Sequence, residues 1–216
     1  MLRLVSSATE LTTAATDALL GLVCLVMLWR LTELPSSWQR AVWMGVLVLM
    51  AVASFLGAMA HGVTWSESVR TAIWQPLYLS LGLTIALFVV AAVCDWRGVE
   101  LARAFLPWML AIGVAFYAAT WFLNGAFILF IAYEAVAMLA ALAIYGWLCS
   151  QGVAGAGLIA AGIGISIAAA VVQATSLQLT VVVPFDHNGL FHLVQLAGIV
   201  VLSSGVRARL LATLVP

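Results

Sequence analysis

"GVAGAGLIAAGIGISIAAA", residues 152–170, holds no charged residue, and its one hydrogen-bonding side chain is Ser166. A helix needs about 20 apolar residues to cross the hydrocarbon core of a bilayer. This run has that length and character. Water is absent there, so the backbone must satisfy its own polar groups, and a helix does so within one segment. The dense Gly and Ala suit close packing against another helix. Its glycine spacing is not a nucleotide loop, because no strand precedes it.

Outward from this run, the same pattern recurs along the whole chain. The 216 residues are 66% hydrophobic and 7% charged, whereas a soluble domain has roughly a quarter of its residues charged. The sequence predicts an all-α polytopic membrane protein, with seven transmembrane helices in one bundle and a single domain over 1–216. The predicted spans are about 9–31, 41–63, 71–94, 101–122, 125–148, 153–176 and 188–206. No stretch between them is long enough for a separate soluble domain. The start, MLRLVSSATE, has one arginine and no apolar core before Glu10, which argues against a cleavable signal peptide. With a formal charge of +0 and no basic cluster, nothing supports nucleic acid as a partner. Cys24, Cys94 and Cys149 are far apart and read as small apolar packing residues.

All eight basic residues are arginine. Arg30, Arg40, Arg97, Arg103, Arg207 and Arg209 gather on one side of the threaded chain, Arg3 and Arg70 on the other. The excess of positive charge on cytoplasmic loops then predicts an outside N-terminus and a cytoplasmic C-terminus. A bacterial inner membrane fits this, with membrane lipids as the surrounding partners.

Charged groups inside a span are costly and by default point to function. Asp17, in "TTAATDALLG", lies roughly 12 Å into the first span at ~1.5 Å per residue. With Glu10 and Thr13 it forms one polar stripe. It is either part of a site or a packing group that accepts hydrogen bonds from a neighbouring helix. His61, in "SFLGAMAHGVTW", stands near the outer end of the second span, with Ser54 two turns back on its face. It is either interfacial or functional. In the third span Thr71, Gln75 and Tyr78 share a face, and Pro76 falls in the first turns, where a missing donor is tolerated. Gln75 either steadies a water or substrate carbonyl or bonds to another helix. Glu134, in "IAYEAVAML", lies midway along the fifth span as a proton carrier, a substrate-facing acid or a buried neutral acid. Asp95, Glu33 and Glu100, near arginines, read as ordinary loop charges.

The last span opens "FDHNGLFHLVQLAG", residues 185–198. A helix turns ~100° per residue, so His187 and His192 fall about 140° apart and do not share a face. Asn188, His192 and Gln195 do share one, and with Glu134 they are candidates for a polar pocket. Asp186 or Asn188 is the candidate N-cap. Antiparallel threading brings Asp17, His61, Gln75, His187 and His192 to one depth on one side. Two or three histidines with a carboxylate are a plausible zinc set, and zinc-bound water is a hydrolytic nucleophile near neutral pH.

Seven helices, a histidine ending the second and a histidine pair opening the seventh resemble the CREST superfamily. That group includes alkaline ceramidases, adiponectin/progestin-type receptors and Per1-like proteins. The resemblance implies zinc on one second-helix and two seventh-helix histidines, here His61, His192 and the neighbouring His187. It also implies a helper aspartate on the third helix and a serine one turn before the first histidine. This chain has Gln75, or Glu67 just outside the span, where the aspartate stands, and Gly57 where the serine stands. Asn188 rather than histidine precedes His192 by four. Asp17 is the candidate replacement carboxylate. The "TTAATDALLG" start and "FDHNGLFHLVQLAG" end also resemble a seven-span bacterial membrane family to which no activity is assigned.

Two functions follow as expectations. One is a zinc-dependent intramembrane hydrolase of a lipid amide or ester. In it His61, His187 and His192 hold the metal, Asp17 orients or deprotonates water, and Gln75 steadies the substrate. The other is a non-enzymatic seven-helix protein: a receptor, a small-solute permease or a CREST-like scaffold without metal. No clear internal repeat of the transporter kind is seen.

Overall fold

The computed structural model describes residues 3–123 and 127–214. It contains seven α-helices: α1 Ala8–Thr32, α2 Trp38–Gly62, α3 Glu67–Arg97, α4 Val99–Phe122, α5 Phe127–Ser150, α6 Ala156–Gln173 and α7 His187–Ala212. Each is long and apolar enough to cross a membrane. Trp29, Trp108 and Val136 point outward with more than half of their surface open, as side chains bathed in lipid do. A water-facing protein rarely carries such contiguous apolar surface. The chain is an all-α integral membrane protein.

The helices do not pack in simple chain order. α1, α2, α3, α5, α6 and α7 close into a ring, each touching the next, and α7 returns to α1. α4 stands outside the ring against α3, with only light contact to α5. Accordingly α3 is the most deeply buried span and α4 the least. The α3–α4 contact is close because Gly82 and Gly113 face each other. A Cβ on Gly82 would lie 2.6 Å from the Gly113 carbonyl oxygen.

The opening run forms α6, and its small residues do what their composition predicts. A Cβ on Gly162 would stand 2.6 Å from Leu202 of α7, and one on Gly205 would stand 2.7 Å from the Ile159 nitrogen. The two backbones approach more closely than side chains would permit, which is how membrane helices associate without a hydrophobic drive between them.

Several local details depart from the sequence reading. α3 begins at Glu67, where the Ser66 hydroxyl accepts from the Val69 N–H. Pro76 therefore lies well inside the helix rather than in its first turns. The polar first turn, Glu67 to Arg70, had fallen outside the apolar window. α7 continues past Val206 to Ala212 for the same reason, since its last turns carry Arg207 and Arg209. The predicted start of the fifth span, at 125, falls outside the described residues. Leu179–Thr180 (β1) and Pro184–Phe185 (β2) pair antiparallel ahead of α7, and Thr12 of α1 donates to the Pro184 carbonyl at 2.7 Å. Cys24 and Cys94 are buried as packing residues, whereas Cys149 is exposed.

The arginines meet at one end of the bundle. The Arg103 guanidinium lies 5.6 Å from the Trp38 ring centre, Arg207 lies 3.8 Å from Glu33, and Arg209 bonds to Asp95 at 2.8 Å. These contacts join the ends of α1 and α3 to the end of α7, and the start of α2 to the start of α4.

Candidate functional site

The ring encloses a chamber of about 410 Å³, walled by all six of its helices and not by α4. Ligand sites in proteins are commonly about 300–1,000 Å³. The chamber extends from His61 and Asn188 at one end to Val206 near the arginine-rich end. Its lining is mostly apolar, with polar groups from all six helices.

Asp17 and His192 meet at the histidine end. They are 6% and 7% exposed, and His192 Nε2 lies 3.2 Å from Asp17 Oδ1. The other ring nitrogen, Nδ1, lies 3.1 Å from Thr16 Oγ1. That hydroxyl also lies 2.9 Å from the carbonyls of Thr12 and Thr13. α1 therefore holds the imidazole at both nitrogens, by Thr16 on one side and the Asp17 carboxyl on the other.

Gly57 makes room for this pair. A Cβ at position 57 would lie 2.6 Å from Asp17 Oδ2. The position that the CREST resemblance assigns to a serine is therefore filled by the carboxyl of α1. The carboxyl of Asp17 meets a histidine of α7.

His61 Nδ1 lies 2.7 Å from Glu10 Oε2, and its ring meets the edge of Trp74 at 5.7 Å. Thr13, the third member of the α1 stripe, donates to Asp186 Oδ1 at 2.9 Å. That same oxygen accepts from the Gly189 N–H, so Asp186 rather than Asn188 is the N-cap of α7. The cap and α1 are locked together by one carboxylate.

The helical-face reading of α7 holds. Asn188, His192 and Gln195 all line the chamber, and His187, the first residue of α7, does not. Gln75 is also absent from the wall. α3 instead presents Trp74 and Tyr78 there, both turned to the same side of Gln75 about the helix axis, and the Gln75 Oε1 is buried elsewhere without a partner. Among the described residues no three His, Cys, Asp or Glu side chains form a group that could hold a metal. Asp17, His61 and His192 line the chamber, and His187 does not.

Glu134 reaches the chamber from α5, is 8% exposed, and its Oε2 has no partner. Gln195 Oε1 and Trp43 Nε1 are also buried and unpartnered on the wall. Trp43 and Ser203 escaped the sequence reading. Ser203 was within its reach, since it falls three helical turns after His192 on the same face.

Asp95 was misread. It is buried near the arginine-rich end, accepting from Gln39 Nε2 at 2.6 Å, Arg209 Nε at 2.8 Å and Tyr145 OH at 2.8 Å. Four helices, α2, α3, α5 and α7, converge on one carboxylate. An acid beside an arginine-rich loop looks the same in sequence whether it faces water or the interior.

No curated protein and no solved structure matches this chain. A family model matches residues 12–211, from the first turns of α1 to the last of α7, and so takes in Asp17, His61, Glu134 and His192. The chain belongs to that family, the family of unknown function DUF6962.

Proposed function

We propose that the chamber binds an amphipathic small molecule of lipid character, taken from the surrounding bilayer. The observation that carries this is the set of unpartnered polar atoms on its wall: Glu134 Oε2, Gln173 Oε1, Gln195 Oε1, Ser203 Oγ and Trp43 Nε1. A buried polar atom without a partner costs about 1–3 kcal/mol, and several of them around one apolar space favour an occupant that supplies hydrogen bonds. Glu134 and Gln195 offer acceptors and Trp43 a donor, so that occupant brings N–H or O–H donors together with an acceptor oxygen on an apolar body. Native mass spectrometry of protein purified in mild detergent tests the reading. A bound species of lipid mass is expected, lost when Ala53→Trp fills the chamber. If the wild-type protein carries no such species and takes up none from added lipid extract, the reading fails.

A second reading, hydrolysis of an amide or ester in that occupant, is favoured by the Asp17–His192 pair. With Nδ1 held at Thr16, the pair can pass one proton to a leaving group as it takes one from water, so its charge is unchanged over the cycle. Turnover of labelled lipid amides and esters by wild type, with none by Asp17→Asn, is the expected result. Wild-type protein inert toward the whole panel removes this reading and leaves binding. The CREST resemblance would add zinc on His61, His187 and His192. Metal analysis tests that separately: stoichiometric zinc in wild type and not in His192→Ala is expected, and its absence from both removes the metal. The arginine distribution supports a cytoplasmic C-terminus in a bacterial inner membrane, with the histidine end toward the outside.

A further inference from the structure

A second cavity of about 190 Å³ adjoins the arginine-rich end of the chamber, between the last turns of α1 and α7. Leu31 and Ser203 line both spaces. The charged residues on its wall are Arg30 and Arg207, and no acid lines it. Ser203 is 5% exposed and its hydroxyl has no partner; Arg207 Nε is buried and unpartnered as well. Ser204 has already committed its proton to the Val200 carbonyl at 2.8 Å. Glu33 stands beyond the wall, 3.8 Å from Arg207 Nη2, with both side chains over a third exposed. Such a pair is weak, and it leaves Nε unused.

These groups are all donors, two of them cationic, around a space at the end of a membrane-spanning bundle. An occupant must therefore bring negative charge and several acceptor oxygens. A guanidinium fork matches phosphate oxygens in plane and spacing. We propose that this cavity is a binding site for a phosphate-type anion, either the head group of an anionic lipid or free phosphate, held by Arg207, Arg30 and the Ser203 hydroxyl. The site does not depend on what fills the chamber, because Arg30 and Arg207 line this cavity and not the chamber.

The test uses the full chain in a neutral detergent, titrated with phosphatidylglycerol and, separately, with inorganic phosphate. Charge-assisted hydrogen bonds contribute about 1.5–3 kcal/mol, so Arg207→Gln should weaken binding at least about tenfold. Arg30→Gln should weaken it less, and Ser203→Ala a few-fold. Arg103→Gln, which removes the same charge outside the cavity, should leave binding unchanged. Thermal unfolding of each variant checks that it remains folded. Lipid binding that millimolar phosphate does not displace assigns the site to a head group, whereas competition by phosphate assigns it to the free ion. Folded Arg207→Gln and Arg30→Gln that bind like wild type overturn the proposal, as does an equal loss in Arg103→Gln.

Discussion

Asp17 and Asp95 are buried carboxyl groups toward opposite ends of one bundle, and their surroundings differ in kind. Asp95 accepts from three donors on three other helices, one of them an arginine. Asp17 meets one imidazole at 3.2 Å, with Gly57 behind it and the chamber beside it. Glu134, on the chamber wall, has an oxygen with no partner at all. Buried polar groups are nearly always satisfied, and an exception calls for an explanation. A saturated carboxylate ties helices together and has no capacity left for a ligand. An unsaturated one beside an empty space keeps that capacity. The comparison separates a latch at the arginine-rich end from a site at the histidine end.

The strongest challenge to this contrast is Arg209→Met. Removing one partner of a buried pair leaves the other charge uncompensated and costs about 3–5 kcal/mol. Arg209 is partly exposed, so the lower end of that range is expected, read as a fall in the thermal unfolding temperature in detergent. If adding Asp95→Asn restores much of the loss, the latch is electrostatic. An unchanged transition in Arg209→Met would break the comparison.

Overpacking at the α6–α7 seam comes next. Gly162→Leu drives a side chain into Leu202 and should cost about 1–3 kcal/mol, while Ala at the open Gly164 position should be tolerated. Tyr145→Phe removes a single donor from Asp95 and should cost about 1–2 kcal/mol. Asp17→Asn should have the smallest effect on stability, under about 1 kcal/mol, because the amide can still donate to His192 Nε2. Turnover, where wild type shows it, should nevertheless vanish. A loss of stability in Asp17→Asn as large as that of Arg209→Met would make Asp17 a second latch.

Much of the site was legible before any coordinates. Asn188, His192 and Gln195 were placed on one face by the helical repeat alone, and all three line the chamber. Asp17 and His61 were placed at a common depth by counting residues along antiparallel spans. The same counting also included Gln75 and His187, which the wall excludes. Depth is set by position along a helix, but membership of a wall is set by rotation about its axis. In a span that is apolar on every side, hydropathy does not specify that rotation.

By itself, the amino-acid sequence determined the seven spans, the arginine-rich end, the small-residue seam of α6 and the polar stripe of α7. These are properties of length, period and composition, and each acts within one segment. The tertiary structure alone decided that α4 stands outside the ring and that His192 takes Asp17 as its partner. It also decided that Asp95 is interior and that His187 is off the chamber wall. Those outcomes depend on how helices far apart in the chain turn toward one another. Close approach at Gly82, Gly113, Gly162 and Gly205 sets which backbones meet, and the meeting of backbones sets which side chains share the space between them.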